Sequence, residues 1–140
     1  MTRSETTDDE LRAAIRGVGL RATRGRMVVL GTVLTADGPV SHAELADALS
    51  GFDRATVYRN LMDLTDGGLL RRFDVDHVWR FEAVSLESAG ARHPHFVCTD
   101  CGQVECLPVM GFDVADRQVP AAVVDRQIDV QMRGVCDDCR

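Results

Sequence analysis

Two matched pairs of cysteines are the strongest chemical signal in this sequence of 140 residues. The pairs are Cys98 with Cys101 and Cys136 with Cys139. A spacing of two residues lets both sulfurs of a pair reach one tetrahedral zinc ion at about 2.3 Å, so two pairs complete a four-thiolate site. A closed shell leaves no position for water, and the pattern therefore predicts a structural zinc ion. The alternatives are a redox pair of the thioredoxin type and simple buried thiols.

A second group of candidate metal ligands is built on two histidines. His93 and His95 are two residues apart, which places both imidazoles on one face of an extended segment. Their candidate companions are a fifth cysteine, an acidic residue and two histidines from the first half of the chain: Cys106, Glu82, His42 and His77. The pair predicts a second metal site, whereas for His42 and His77 taken singly a hydrogen-bonded structural role is favoured.

The distribution of charge is more informative than its total. The net charge of −6 argues against nucleic-acid binding, because phosphate contacts require clustered cations. Residues 12–26 nevertheless contain five arginines and no acid: Arg12, Arg16, Arg21, Arg24 and Arg26. This stretch fits either a DNA-contacting surface or a solvated helix face.

The chain contains no sign of a membrane partner or of catalysis. No apolar run approaches the roughly 18 residues of a membrane span, and the first ten residues are polar and acidic, unlike a signal peptide. We therefore expect a cytoplasmic protein, in which the cysteines stay reduced. Because no phosphate loop or nucleophile elbow occurs, we expect neither an enzyme nor a small-molecule substrate.

Apolar periodicity and capping residues predict four helices and a hairpin in the first half. The helices are expected at residues 8–18, with Asp8 or Asp9 as the cap, and at 23–38, 41–51 and 53–66. Alternation predicts strands at 69–73 and 77–82 around a polar turn at 74–76. This order predicts a winged helix-turn-helix. The fourth helix carries polar side chains that we expect to be exposed and available to DNA: Arg54, Thr56, Tyr58, Arg59 and Asn60.

The unpatterned segment 84–92 predicts a linker. It separates a winged-helix DNA-binding domain at 1–83 from a dimerisation and metal-binding domain at 93–140. Short strands are expected at 96–98, 104–107 and 128–133, while residues 109–124 fit no single element. The predicted fold class is α+β, with an N-terminal winged helix-turn-helix and a small α/β dimerisation domain that holds a four-cysteine zinc site.

Together these motifs resemble the ferric uptake regulator family from Gly19 to Cys139. The most specific block is Ala-Thr-Val-Tyr-Arg-Asn-Leu at residues 55–61. Four further motifs follow in the order of that family: Gly68-Leu69, Arg80-Phe81-Glu82, His93-x-His95-Phe96-x-Cys98-x-x-Cys101-Gly102 and Gly134-x-Cys136-x-x-Cys139. The resemblance implies a homodimeric repressor that binds a palindromic DNA operator when a regulatory divalent metal is bound.

The resemblance also implies roles for single residues. Residues 55–61 become the recognition helix, with Thr56 and Tyr58 at bases or sugar-phosphate in the major groove. Arg59 is assigned to a phosphate or a guanine, and Arg21 to the neighbouring minor groove. Arg54 and Asn60 complete the expected DNA-contacting set.

The regulatory site maps onto Glu82, His93 and His95, with Cys106 where relatives usually carry a carboxylate. A thiolate favours zinc over iron or manganese, so we expect zinc there. If Cys106 instead turns inward as a small hydrophobe, iron or peroxide sensing is the alternative. The family's histidine before the Ser-Ala-Glu block is replaced by Pro39, which puts that ligand in doubt, and His77 and His42 are the candidates to replace it.

Overall fold

The structure is a computed structural model that describes residues 6–84, 93–107, 119–124 and 128–140. The chain divides into two compact units, Met1–Ser85 and Leu86–Arg140. The predicted linker falls almost wholly on residues 85–92, which lie outside the described residues, as does most of the segment 109–124. Within the described ranges no helix has the length and apolar character that crossing a bilayer requires.

In the described part of the first unit, four helices follow one another: α1 (Asp8–Gly17), α2 (Arg24–Thr35), α3 (His42–Ala48) and α4 (Arg54–Asp66). Each begins after a polar residue whose side chain accepts a hydrogen bond from a backbone N–H three positions later: Thr7, Thr23, Ser41 and Asp53. These caps satisfy donors that a first helical turn cannot pair internally. The predicted caps of α2, α3 and α4 are confirmed.

Other predicted helix boundaries are wrong by one to three residues. The cap of α1 is Thr7, not Asp8 or Asp9, because Thr7 and Glu10 form a reciprocal capping box that satisfies two backbone donors. Helices α2 and α3 end three residues before the glycines expected to stop them, at Thr35 and Ala48. The intervening residues form loops that carry the chain into the next element.

The sheet of the first unit has the order β1-β3-β2, with β1 (Val40–Ser41), β2 (Leu70–Val75) and β3 (Val78–Ala83) all antiparallel. The predicted turn at 74–76 is wrong. The observed turn is Asp76 and His77, with φ of 52° and 66°. Positive φ at both residues matches a two-residue hairpin turn to the strand twist. Strand β1 was not predicted because two residues are too few to show alternation.

An apolar cluster joins the helices to the base of the hairpin. Its buried members are Leu11, Ile15, Val29, Leu30, Val33, Leu45, Val57, Leu61, Leu64, Leu70 and Phe81. On α4 the spacing of Val57, Leu61 and Leu64 puts these side chains on one face, as the sequence predicts. Burial of that face fixes which α4 side chains are left at the surface.

The described part of the second unit holds a three-stranded sheet and one short helix: β4 (His95–Cys98), β5 (Val104–Cys106), α5 (Ala121–Val124) and β6 (Gln131–Gly134). Strand β4 is central, antiparallel to β5 and parallel to β6. The prediction of β6 at 128–133 begins three residues too early. Gly102 has φ of 76° in the turn after β4, a conformation that favours glycine.

Candidate metal centres and DNA-reading helix

The two cysteine pairs come together at one end of the second sheet. Cys98 is the last residue of β4, and Cys101 lies in the turn that follows. Because β6 runs parallel beside β4, with Gly134 opposite Cys98, its end delivers Cys136 and Cys139 to the same place. The four sulfur atoms lie within 4.8 Å of one another, and none is in a disulfide.

The sulfur geometry fits a tetrahedral zinc ion. Cys101 Sγ and Cys136 Sγ are 3.9 Å apart. Four sulfurs at about 2.3 Å from one zinc lie about 3.8 Å from each other, so little movement is needed to bind the metal. An all-thiolate donor set with this spacing is that of a closed structural zinc site, in which no coordination position is left for substrate or water.

Hydrogen bonds from backbone N–H groups stabilise the thiolate form of one of these cysteines. The N–H groups of Cys101 and Cys136 donate to Cys98 Sγ over 3.5 Å and 3.3 Å. These bonds lower the pKa of the Cys98 thiol to about 6. Cys139 behaves oppositely, since hydrogen bonding to the sulfurs of Cys136 and Cys101 raises its pKa to about 12. All four cysteines can therefore be thiolates together only when a cation balances their charge, which agrees with metal binding.

The second cluster lies at the opposite end of β4. His95 faces Cys106 across the β4–β5 pair. The rings of His93 and His95 are in edge contact, with centroids 4.7 Å apart. The ring nitrogens of both histidines and the Cys106 sulfur lie within 4.8 Å of one another. Cys106 is exposed and does not fill a core position, so the inward-facing alternative is wrong.

Three candidate ligands belong to the first unit, where they occupy different places. Glu82 is buried on β3, 6% exposed, and its Oε1 lies 3.8 Å from Arg71 Nη1. His77 is in the hairpin turn, five residues along from Glu82. Five residues of strand span about 16 Å, so the structure does not bring His77 to Glu82. His42 Nε2 lies 2.8 Å from the carbonyl oxygen of Arg54 and is engaged with α4.

Sequence reasoning missed the partner of Glu82. Strands at 69–73 and 77–82 around the predicted turn would place Glu82 opposite Gly68. The observed turn shifts this register and places Glu82 opposite Arg71. The Asp-His pair at 76–77 could have predicted the observed turn, and with it the partner of Glu82, because Asp and His tolerate positive φ better than most residues.

Most of the predicted DNA-contacting residues of α4 lie at the surface. Arg54, Tyr58 and Arg59 are exposed, and Thr56 is half-buried. Tyr58 is 42% exposed, more than a core tyrosine would be. The N-cap carboxylate of Asp53 has a lowered pKa because Thr56 hydrogen-bonds to it.

Asn60 departs from the expectation of exposure. It is only 9% exposed, and a Cβ added to Gly25 of α2 would come within 2.5 Å of its Nδ2. Asn60 follows Val57 by three residues and precedes Leu64 by four, which puts it on the buried face of α4. Glycine at position 25 leaves the room that the Asn60 amide occupies against α2.

The arginines of residues 12–26 fall into two groups, those that contact other described side chains of the first unit and those that lie free of such contacts at the surface. Arg26 pairs with Asp63 of α4 at 3.0 Å, Arg12 with Asp9 at 3.4 Å, and the Arg24 guanidinium lies 5.9 Å from the Phe52 ring centroid. Arg16 and Arg21 are exposed and line a cavity of about 250 Å³ with Ala22 and Thr23. Arg21 is thus at a surface open to a polyanion.

The chain is similar to known proteins in both sequence and structure. The profile of the Ferric uptake regulator family matches residues 17–122. A Ferric uptake regulation protein of Cupriavidus metallidurans is 33% identical over 98 residues, which span 66% of each chain. The solved ferric uptake regulator of Vibrio cholerae is 25% identical, covering 89% of this chain and 98% of that one with a TM-score of 0.64. Holo XcZur is also 25% identical, with coverage of 97% and 98% and a TM-score of 0.63.

Proposed function

This chain belongs to the ferric uptake regulator family of metal-responsive, DNA-binding transcription regulators, and we propose that it is a homodimeric zinc-dependent repressor. In this proposal the dimer binds a palindromic operator when its regulatory site holds zinc. The proposal includes a cytoplasmic location, because four-thiolate sites need the reduced cysteines that this compartment maintains. It assigns no enzymatic activity to the chain.

The proposal that the regulatory metal is zinc rests on the position of Cys106. Its sulfur lies with the ring nitrogens of His93 and His95, within 4.8 Å of each. Two imidazoles and a thiolate form a donor set suited to tetrahedral zinc, whereas manganese prefers oxygen ligands. Because four thiolates close the coordination shell of a zinc ion, whereas the second cluster mixes imidazole and thiolate ligands, we propose that metal stays fixed in the four-cysteine cluster and exchanges at the second cluster.

We propose Glu82 as the fourth regulatory ligand. It is the carboxylate of the Arg80-Phe81-Glu82 motif and lies at the base of the hairpin, in the first unit. A ligand contributed by each unit would couple metal binding to the arrangement of the units, so that the metal-bound dimer prefers the DNA-competent arrangement. Moving a population from mostly inactive to mostly active requires about 5 kcal/mol of differential binding.

DNA reading is proposed for the surface of α4 and for Arg21. Tyr58, Thr56 and Arg59 would contact bases and backbone in the major groove, with Arg54 at a phosphate and Arg21 at the adjacent minor groove. Asn60 is left out of the proposed DNA-contacting set, because it is buried where α4 packs against α2. Strands β5 and β6 are the outer strands of the described sheet, and we propose that dimerisation uses this second unit.

One experiment tests the proposal as a whole. The purified protein is loaded separately with zinc, iron(II) and manganese, and metal content is measured by mass spectrometry. DNA binding is then titrated at fixed salt, using duplexes selected from a randomised library by each metal-loaded form. We expect two zinc ions per chain, zinc-dependent selection of a palindrome, and loss of one zinc together with DNA binding in Cys106→Ser.

Two other outcomes would contradict parts of this proposal. One tightly held zinc with iron- or manganese-dependent binding would make Cys106 incidental and move the protein to iron or peroxide sensing. Thiol-disulfide exchange by Cys98 and Cys101 without metal-dependent DNA binding would instead favour a redox protein. The redox alternative has less support because residues 99–107 form a turn and β5, without the helix that directly follows a thioredoxin-type pair, and because all four cysteines cluster together.

A further inference from the structure

His42 makes two contacts with the start of the DNA-reading helix. Its Nε2 lies 2.8 Å from the carbonyl oxygen of Arg54, the first residue of α4. Its ring meets the ring of Tyr58 edge on, with centroids 5.4 Å apart and planes 67° apart. His42 is itself the first residue of α3, held in place by the Ser41 cap. One imidazole therefore connects the N-terminal turns of α3 and α4.

The chemistry of the first contact fixes the tautomer. A carbonyl oxygen can only accept a hydrogen bond, so Nε2 of His42 must carry the proton and donate. The carbonyl of Arg54 also lies in the first turn of α4, where it accepts the helical bond from the N–H of Tyr58, so the bond from His42 uses its second lone pair and ties this turn to α3. This bond therefore orients the turn that carries Thr56 and Tyr58.

The second contact restricts a side chain that is otherwise at the surface. Tyr58 is 42% exposed, and an exposed tyrosine is free to change its rotamer. An edge-to-face neighbour at this distance stabilises one orientation of the ring. A side chain that is already oriented loses less conformational entropy when it binds, so its contacts cost less to form.

We propose that His42 is a positioning residue for DNA recognition, which sets the first turn of α4 and the ring of Tyr58 in the orientation that DNA binds. The inference rests on the proposed DNA-binding function of α4. It develops the hydrogen-bonded role favoured for His42 over that of a metal ligand, since the histidine nitrogen that faces α4 is already engaged within the first unit.

The first test is a double-mutant cycle between His42 and Tyr58. Zinc-loaded full-length wild type, His42→Ala, Tyr58→Ala and the double variant are titrated with the duplex selected by wild type. We expect His42→Ala to weaken binding about 3- to 10-fold, the range of an aromatic pair with a hydrogen bond. In the Tyr58→Ala background we expect the same change to have a smaller effect than in wild type, because the ring that His42 positions is gone and only the bond to the Arg54 carbonyl is lost.

Two conservative variants separate the contacts. His42→Gln keeps an N–H donor for the Arg54 carbonyl and lacks the ring, whereas His42→Phe keeps the ring edge and lacks the donor. Each is expected to recover part of the lost affinity. Ala43→Ser, at an exposed neighbour in the same turn of α3, is the matched control and should bind DNA as wild type does. Thermal unfolding of every variant identifies any that fails to fold.

A spectroscopic readout needs no DNA, because Tyr58 is the only tyrosine in the chain. In protein labelled with ¹³C-tyrosine, the ring gives one set of resonances. We expect these to shift and broaden in His42→Ala and to stay in place in Ala43→Ser. Unmoved tyrosine resonances, or equal losses of affinity in the two Tyr58 backgrounds, would overturn the positioning role while leaving DNA binding intact. If wild type selects no duplex with any metal, the proposed function fails and this inference fails with it.

Discussion

The two units of this chain are stabilised by different interactions. The described residues of the first unit bury a continuous apolar cluster that joins all four helices to the hairpin. In the second unit six described residues are buried, Pro94, His95, Val97, Cys98, Val104 and Cys136, and three of the six belong to candidate metal clusters. We therefore expect the first unit to depend on hydrophobic burial and the described part of the second to depend on metal ligation. This difference predicts that metal removal affects the two units unequally.

The second unit contains a comparison of its own. The four-cysteine cluster has a single ligand type, with two sulfurs buried and backbone N–H groups directed at one of them. The cluster of His93, His95 and Cys106 mixes ligand types, and its cysteine is exposed. A closed shell of four thiolates suits a permanently held zinc ion, while a mixed set of ligands suits an ion that exchanges. Under the proposed function, we therefore expect one cluster to serve folding and the other to serve regulation.

The largest effect is expected for Cys98→Ser. This change removes the sulfur that two backbone donors hold in place, and structural zinc contributes about 10–16 kcal/mol in zinc-finger peptides. We expect the loss of one zinc per chain and rapid amide hydrogen exchange in β4 and β6, with slow exchange preserved in α2 and α4. Mass spectrometry of metal content and of hydrogen exchange measures both. Slow exchange in β4 and β6 after zinc loss would show that the second unit has enough apolar core without metal.

The sequence allowed these clusters to be predicted because ligand types and spacings are local. The two-residue spacing of the cysteines and the His93-x-His95 motif are visible without any fold, and so are the caps Thr23, Ser41 and Asp53. What could not be predicted depends on pairing between distant segments. The register that brings Arg71 opposite Glu82 follows from a turn at Asp76 and His77. Each residue of error in such a turn changes every partner across the hairpin.

Two further features could not be predicted, because they also depend on contacts between distant segments. The burial of Asn60 depends on a glycine in another helix, Gly25, whose missing side chain leaves the space. The engagement of His42 depends on how α3 approaches α4, which periodicity within either helix does not reveal. Asn60 was assigned to DNA although it packs against α2, whereas the hydrogen-bonded role favoured for His42 is confirmed by its contact with the Arg54 carbonyl and only its partner was not predicted.

The second largest effect tests the first unit. Leu61 is completely buried in the apolar cluster, and a leucine-to-alanine change at such a position lowers the free energy of unfolding by about 2–5 kcal/mol. We expect Leu61→Ala to do so with zinc content unchanged, as measured by denaturant unfolding and metal analysis. Val78→Ala is the matched control in the same unit, because Val78 is 47% exposed on β3 and its change should cost less than about 1 kcal/mol. Loss of zinc in Leu61→Ala would argue against separate stabilisation of the two units.

A third prediction sharpens the comparison between the two clusters. Cys106→Asp replaces the thiolate with the carboxylate type usual in the family, so zinc affinity should fall and affinity for manganese or iron(II) should rise. We expect zinc affinity at this site to fall at least about 10- to 100-fold, the loss seen when even an outer-shell partner is removed. Competition with a chelating dye measures the exchangeable metal. The tightly held zinc and the unfolding midpoint of the first unit should not change.

The smallest effect concerns an ion pair that crosses the first unit. Arg26 and Asp63 connect α2 with α4 at 3.0 Å, and the Asp63 side chain is 43% exposed. Because water screens such a pair and Arg26 also donates to the carbonyl of Arg21, Asp63→Asn should lower the free energy of unfolding by less than about 1 kcal/mol. Denaturant unfolding at low and high salt measures the change. Asp47→Asn, which disrupts a more exposed pair with Arg54, is the matched control and should have no measurable effect. A loss for Asp63→Asn as large as that for Leu61→Ala would mean that charge, and not only apolar burial, holds α2 against α4.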